Sequence, residues 1–251
     1  MSEKSGELLG VVAPDPGTAV TVTSLEPARQ AVQEAVEAIV GERPRLWALE
    51  AGAGRRIRLA LPEDAYVVGV DRDPAALARN GRLDERIVAD LAEFNPRATG
   101  FDVITSWYGL ELLPDPATVL ERMAAWAATD GVVVIAVPNV RSPRALLAKL
   151  TPPRTAMRWA ISPAALRRRF AAHGFRPTFE VFFEDPRQAA TRRRLGLVRN
   201  RWQLAQAAVR LLSFGVLDAA RTEYAVVFRR PLSESHRALT CLLCRRHPPR
   251  P

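Results

Sequence analysis

The chain has 251 residues and a formal net charge of +9, with 48% hydrophobic and 25% charged residues. This length allows one α/β domain with a substantial core and some elaboration, and the composition is typical of a soluble globular protein. No apolar stretch reaches the roughly 18 to 20 residues that a membrane-spanning helix needs, so the sequence excludes such a span.

The positive charge comes almost entirely from arginine, because Lys4 and Lys149 are the only lysines. A GC-rich genome explains this bias as well as a function does, although a basic surface can attract RNA, phospholipid or an acidic substrate. No aromatic residues are interleaved with the arginines as stacking platforms, which makes nucleic acid the minor hypothesis. Cys241 and Cys244 are interpreted as incidental thiols. Together with the absence of an apolar secretion signal, they favour a cytoplasmic protein.

The N-terminal half alternates between helical and strand patterns. Small, turn-forming residues predict a flexible leader over 1–22, and a folded domain follows over 23–230. The patterning then predicts helices over 24–40, 55–61 and 73–81 and strands over 45–49, 66–70, 86–89 and 101–106.

The C-terminal half continues the alternation but contains two long interruptions. It predicts a helix after Asp115-Pro116, a turn at Asp130-Gly131, a helix from Ser162-Pro163 and strands over 132–137, 175–183 and 222–229. Residues 140–161 and 185–221 exceed plain connections and are interpreted as substrate lids or interface insertions. A homodimer surface is the alternative for the second of them. Residues 231–251 are expected to be disordered.

Alternating strands and helices predict a doubly wound, mostly parallel sheet. In such sheets ligands bind at the carboxyl ends of the strands, and two of the strands here end in an acid. Glu50 ends the first, with Gly52 and Gly54 after it, and Asp71 ends the second. This pattern indicates a nucleotide site. The dinucleotide motif G-x-G-x-x-G is not met, because Ile57 occupies the third glycine position.

The wider pattern resembles class I S-adenosylmethionine-dependent methyltransferases. The segment Glu50–Gly54 resembles their E/D-x-G-x-G motif, and Asp71 and Asp90-Leu91 match the acids that follow their second and third strands. The segment 101–116 resembles "FDVV…LEHLPDP", and Val137-Pro138-Asn139 resembles the "VPN" of one subgroup. The resemblance implies a seven-stranded sheet whose last strand is antiparallel, with S-adenosyl-L-methionine as cofactor and no metal.

The resemblance also implies roles for individual residues. Glu50 lies near the donor's ammonium group, while the backbone of Ala51, Gly52 and Gly54 passes beside the methionine end. Asp71, followed by Arg72, accepts from the ribose hydroxyls, and Asp90 and Leu91 contact the adenine. Ser106 lies near the methionine portion. Simpler roles stay open for the acids: Glu50 as a surface cap, Asp71 as the cap of the turn before Asp73, and Asp90 as a loop residue.

The catalytic step and the acceptor are less constrained. Tyr108 follows the fourth strand, where the family places substrate-facing groups, and is predicted to position the acceptor. Leu112 stands where the family pattern often has histidine, and this departure argues against a histidine-assisted mechanism. By family analogy the acceptor is a small molecule methylated at oxygen, a specialised metabolite or a sugar-containing compound. The alternatives are an RNA or protein methyltransferase and a non-catalytic, methyltransferase-like partner protein.

Overall fold

The computed structural model describes residues 19–21, 25–41, 43, 45–139, 161–183 and 223–231. Nearly all of the two predicted insertions and of the predicted tail lie outside these residues, as does the leader up to residue 18. Cys241 and Cys244 also lie outside them.

The described part of the chain contains eight strands and four α-helices. The strands are β1 (Ala19–Thr21), β2 (Trp47–Ala51), β3 (Tyr66–Asp71), β4 (Glu85–Val88), β5 (Phe101–Trp107), β6 (Ala127–Pro138), β7 (Arg176–Phe183) and β8 (Glu223–Arg229). The helices are α1 (Leu25–Val40), α2 (Pro74–Ala78), α3 (Pro116–Trp126) and α4 (Pro163–Ala172), with a 3-10 turn at Leu110–Leu112. None of these helices combines the length and the apolar character needed to cross a bilayer.

The strands form one sheet in the order β1-β7-β8-β6-β5-β2-β3-β4. Neighbouring strands run parallel except around β8, which is antiparallel to both β6 and β7. The predicted mostly parallel sheet with an antiparallel last strand is therefore confirmed. The short β1, within the predicted leader, pairs with β7 and adds an eighth strand at the edge. Because β2 lies between β3 and β5, the chain changes direction at β2 and leaves a crevice at its carboxyl end.

Helices cover both faces of the sheet and bury their apolar sides. Ala28, Val32, Val36 and Val40 repeat every four residues on α1, and all are at most 5% exposed. Their cluster covers one face of β2, β6 and β8, while α3 and α4 cover the other. The helical spacing in the sequence thus predicts the buried side of α1, because residues four apart share one face.

Three of the helices begin with a capping side chain followed by proline. Asp73, Asp115 and Ser162 each accept hydrogen bonds from backbone N–H groups of the first turn. Proline costs little at the next position, because the first-turn N–H groups have no partner within the helix. These helix starts are where the sequence predicts them.

The predicted helix over 55–61 is wrong, because this segment consists of turns and bends. Seven residues before Pro62 give fewer than two helical turns, too few to offset the cost of nucleating a helix. Instead, side chains of α1 form hydrogen bonds with the backbone of this segment. Gln33 accepts from the Ala60 N–H and donates to the Ala60 carbonyl, both at 2.7 Å, and Arg29 donates to the Arg58 carbonyl at 3.4 Å.

The predicted turn at Asp130-Gly131 is also wrong, because β6 begins at Ala127 and continues through both residues. Gly131 packs so closely against β5 that a Cβ there would lie 2.7 Å from the Phe101 carbonyl oxygen. Glycine is required by this close approach, not by a turn.

A second glycine, Gly69 in β3, is predicted to be required for core packing. A Cβ at this position would clash with both methyl groups of Leu83, one of them 2.8 Å away. Gly69→Ala should therefore lower the free energy of unfolding by about 1–3 kcal/mol. In a Leu83→Ala background the added methyl group should cost much less, because the clash is gone. Urea unfolding of the four proteins measures this coupling, and an equal cost in both backgrounds would contradict it.

Candidate functional site

The glycine turn after β2 is set by backbone contacts with the neighbouring strands. The N–H groups of Gly52 and Ala53 both donate to the Val70 carbonyl, at 2.8 and 3.0 Å. Gly52 and Gly54 have φ values of +80° and +53°, which favour glycine. A Cβ on Gly52 would lie 3.4 Å from the Tyr108 carbonyl oxygen. At the turn, the wall of the crevice between β2 and β5 is therefore formed by backbone that carries no side chain.

The Asp71 carboxylate holds this turn. Its Oδ2 accepts from the Gly54 N–H at 2.8 Å and its Oδ1 from the Asp73 N–H at 2.9 Å. From the other side, the buried Asn80 side chain donates to the Ala53 and Gly54 carbonyls, both at 3.4 Å. Asp71 thus caps the turn before Asp73, and each carboxylate oxygen keeps accepting capacity for a ligand hydroxyl.

The loop after β4 has a similar internal organisation. Asp90 Oδ1 accepts from the Ala92 N–H at 2.9 Å, and Arg72 Nη1 lies 3.4 Å from Asp90 Oδ2. Leu91 is 6% exposed and packs into the core. These contacts place Arg72 and Asp90 side by side at the carboxyl ends of β3 and β4.

The crevice holds a small cavity of about 130 Å³ on the side of the glycine turn that faces the ends of β3 and β4. It brings together four of the predicted cofactor residues with the predicted positioning residue Tyr108. Its lining is Gly52, Asp71, Arg72, Ala89, Leu91, Tyr108, Gly109, Leu112 and Leu113.

Tyr108 has a strained backbone at the end of β5. Its φ of +68° is rare for a residue with a side chain, and a backbone held in such a conformation costs about 1–3 kcal/mol. The Tyr108 N–H donates to the Ala136 carbonyl at 2.9 Å. The Glu111 carboxylate accepts from the next N–H, that of Gly109, at 2.8 Å. These two bonds hold the strained residue at the crevice.

A larger cavity of about 720 Å³ lies on the α1 side of the turn. It is lined by the first turns of α1, the glycine turn, the 55–58 segment and one residue of β5. The lining residues are Leu25, Glu26, Arg29, Glu50, Gly52, Ala53, Gly54, Arg55, Arg56, Ile57, Arg58 and Trp107.

Glu50 is a buried acid that lines the larger cavity and is only 3% exposed. It lies beside Thr105 in the register of β2 and β5. Burial raises the pKa of Glu50 to about 7, an effect that the Thr105 hydroxyl and the Arg58 charge only partly offset. Glu50 Oε1 has no hydrogen-bond partner among the described residues. A buried acceptor without a partner is costly, so this atom is suited to a ligand that donates a hydrogen bond.

Two of the predicted cofactor residues, Ser106 and Ala51, line neither of these two cavities. Glu50 and Gly54 line the larger cavity, but Ser106 is fully buried and lines neither of the two. Successive side chains of a strand point to opposite faces, and it is Trp107 that reaches the cavity containing Glu50. Ala51 is likewise buried in the core and offers only its backbone.

The sequence interpretation missed Arg29, Arg58, Trp107 and Asn80. The first three reach the larger cavity from separate elements, and Asn80 supports the glycine turn from the end of α2. No local motif marks these residues, because their proximity depends on how α1 and α2 pack on the sheet. The described residues hold no group of three or more His, Cys, Asp or Glu side chains suited to a metal ion.

Comparison with known proteins identifies a family model for most of the domain. Residues 26–178 match the model described as "Methyltransferase domain", which covers more than half of the chain. The sequence matches no curated protein at a significant level.

Solved structures share the fold at low identity. Magnesium protoporphyrin IX methyltransferase from Synechocystis PCC 6803, solved with bound SAH, is 15% identical with a TM-score of 0.53; the alignment covers 81% of this chain and 84% of that protein. A SAM-dependent methyltransferase from Archaeoglobus fulgidus is also 15% identical with a TM-score of 0.53, covering 81% and 93%. The [4+2]-cyclase SpnF is 13% identical with a TM-score of 0.51, covering 83% of each chain. At these identities the likeness establishes the fold alone.

The raised pKa of Glu50 predicts a pH-dependent stability. The folded state holds the Glu50 proton up to about pH 7, whereas the unfolded state releases it near 4.5. The contribution of Glu50 is therefore fully present below pH 4.5 and is lost as the pH rises through 7. Relative to Glu50→Gln, the wild type should lose about 3 kcal/mol of unfolding free energy over this range.

Urea unfolding of both proteins at a series of pH values measures this loss. Glu85→Gln is the matched control, because Glu85 is an exposed acid on β4. Parallel stability curves for the wild type and Glu50→Gln would contradict the assignment.

Proposed function

The chain belongs to the methyltransferase-domain family, and we propose that this S-adenosylmethionine-dependent methyltransferase acts on a small-molecule acceptor. The proposed site of methylation is an oxygen atom of a specialised metabolite or of a sugar-containing compound. One observation carries the donor site of this proposal: the glycine turn, the buried Glu50 and the Asp71 carboxylate meet at the carboxyl ends of β2 and β3. The acceptor is proposed by family analogy.

Two features of the site support its fit to the donor. The partnerless Glu50 Oε1 is suited to the ammonium of the donor's amino-acid end, which would satisfy a costly buried acceptor. The bare backbone at Gly52 leaves room that a Cβ would fill. When bound, S-adenosylmethionine supplies an electrophilic methyl group on its sulfonium.

Of the remaining proposed cofactor residues, Asp71, Arg72 and Leu91 line the smaller cavity, and Asp90 lies beside Arg72. We assign Asp71 to the ribose hydroxyls, since its oxygens keep accepting capacity beyond the Gly54 and Asp73 N–H groups. Asp90, Leu91 and Arg72 are assigned to the adenine side.

Ala51 contributes only backbone at the start of the turn. Ser106 stays a predicted neighbour of the methionine portion, and Trp107 is the β5 side chain that reaches the larger cavity.

Tyr108 is the proposed positioning residue for the acceptor. It lines the smaller cavity, and its strained backbone is held beside Gly52, which both cavities share. Methyl transfer is an in-line displacement, so alignment of donor and acceptor accounts for much of the rate. Leu112 lines the same cavity where a histidine base would otherwise stand, so the proposed role of the protein is positioning.

The net charge of +9 supports an RNA or protein acceptor as the second candidate. A steep fall of RNA affinity with salt would favour it, and failure to bind RNA at low salt would exclude its RNA form. Donor binding without turnover on any acceptor would instead favour a non-catalytic partner protein. We further propose a cytoplasmic location, which the scarcity of cysteines supports.

Calorimetry tests the donor directly. The wild-type protein should bind S-adenosylhomocysteine and should not bind NAD, because the motif lacks the third glycine of dinucleotide sites. Binding of NAD with no binding of S-adenosylhomocysteine would overturn the proposed function.

The role of Asp71 is tested by substitution. Asp71→Ala should weaken S-adenosylhomocysteine binding by about 1.5–3 kcal/mol, because charged hydrogen bonds to the ribose and the support of the glycine turn are both lost. Asp84→Ala is the matched control, since the Asp84 carboxylate also accepts from a backbone N–H, that of Val67 in β3 at 2.7 Å, but at the end of the strand far from the site. Equal affinities of Asp71→Ala and the control would remove Asp71 from the site.

A further inference from the structure

The larger cavity carries more positive charge than its own acids balance. Four arginines and two glutamates line it. Arg29 forms an ion pair with Glu26 at 3.0 Å. Arg58 interacts with Glu50 only through its charge, and Arg55 and Arg56 make no hydrogen bond or ion pair with any described residue. An excess of two positive charges thus remains even when both glutamates are ionised.

Contacts with α1 hold the backbone at the end of the segment that carries Arg55, Arg56 and Arg58. The Arg58 carbonyl accepts from Arg29 at 3.4 Å, and Ala60 bonds in both directions to Gln33, each time at 2.7 Å. In this irregular segment Arg55, Arg56 and Arg58 all line the larger cavity. In a helix, successive side chains would be spread around the axis.

Donor binding does not use up this excess. S-adenosylmethionine carries two positive groups, the sulfonium and the ammonium, and one negative carboxylate. Its carboxylate can neutralise one arginine and its ammonium can pair with Glu50, but the sulfonium adds a further positive charge. The described lining of the site with donor bound is therefore still positive, and the exposed guanidinium groups of Arg55 and Arg56 stay available to an anion.

We propose that the methyl acceptor carries an anionic group, a carboxylate or a phosphate, which binds the guanidinium groups of Arg55, Arg56 and Arg58. Guanidinium groups match the geometry of both anions, because their N–H groups donate in pairs. A volume of about 720 Å³ lies within the usual range for small-molecule sites. The inference rests on the proposed function, because it names the substrate class of the same site.

The experiment measures anion binding to the full-length protein saturated with S-adenosylhomocysteine. Inorganic pyrophosphate and citrate are the probes, titrated by calorimetry at low ionic strength. The variant Arg55→Gln/Arg56→Gln/Arg58→Gln should weaken binding of the preferred anion at least tenfold when the S-adenosylhomocysteine concentration is raised to keep the variant saturated. The stronger of the two probes indicates whether the acceptor group is a phosphate or a carboxylate.

The matched control is Arg79→Gln/Arg97→Gln/Arg168→Gln, which removes the same charge from exposed positions outside the two cavities. It should keep the anion affinity of the wild type. If the first triple variant does not fold, Arg56→Glu alone should produce the same selective loss.

Several results would overturn the proposal. The first is that no anion binds to the saturated protein, and the second is that the anion and S-adenosylhomocysteine exclude each other. The third is that both triple variants lose anion affinity equally. Tighter binding of a single-stranded oligouridylate that depends on the same three arginines would replace the small-molecule acceptor with RNA. If S-adenosylhomocysteine itself fails to bind, the proposed function fails, and titration of the anions into the protein alone tests the arginines separately.

Discussion

The carboxylate of Asp71 is the contact on which the candidate site depends. It accepts from the Gly54 N–H and so joins the end of β3 to the turn that follows β2. The Val70 carbonyl accepts two further N–H groups of the same turn. With Asn80 on the opposite side, these bonds hold two glycines at positive φ and keep the crevice wall free of side chains. The ligand-facing backbone is thereby fixed before any ligand arrives.

The two sides of this turn differ in charge and in size. The smaller cavity lies among Asp71, Arg72 and the strained Tyr108, while the larger one combines the buried Glu50 with arginines. Burying Glu50 costs stability at neutral pH, and the Thr105 hydroxyl and the Arg58 charge offset this cost only in part. Such costs persist where a site must receive a charged ligand. In the proposed binding mode, this asymmetry would give the amino-acid end and the adenosine end of the donor different surroundings.

Several structural elements depend on interactions within a few residues and could therefore be predicted from the sequence. The caps Asp73, Asp115 and Ser162, each before a proline, define helix starts through bonds within one turn. Other predictions failed where the local structure depends on contacts between residues that are distant in the sequence. The 55–61 segment is irregular because α1 binds its backbone, and Gly131 serves close strand packing instead of a turn. The short length before Pro62 is visible in the sequence, but the contacts with α1 and with β5 are not, since those partners lie far away in the sequence.

The sequence by itself determined the mostly parallel sheet, the methyltransferase family and the order of acids and glycines at the strand ends. These features are encoded by periodicity and by motifs in which neighbouring residues act together. Only the tertiary structure decided that Trp107 lines the larger cavity while Ser106 is buried, because the pleat of β5 alternates its side chains between the faces. It also decided that Arg29 and the 55–58 arginines share one cavity, because this requires α1 to dock beside the glycine turn.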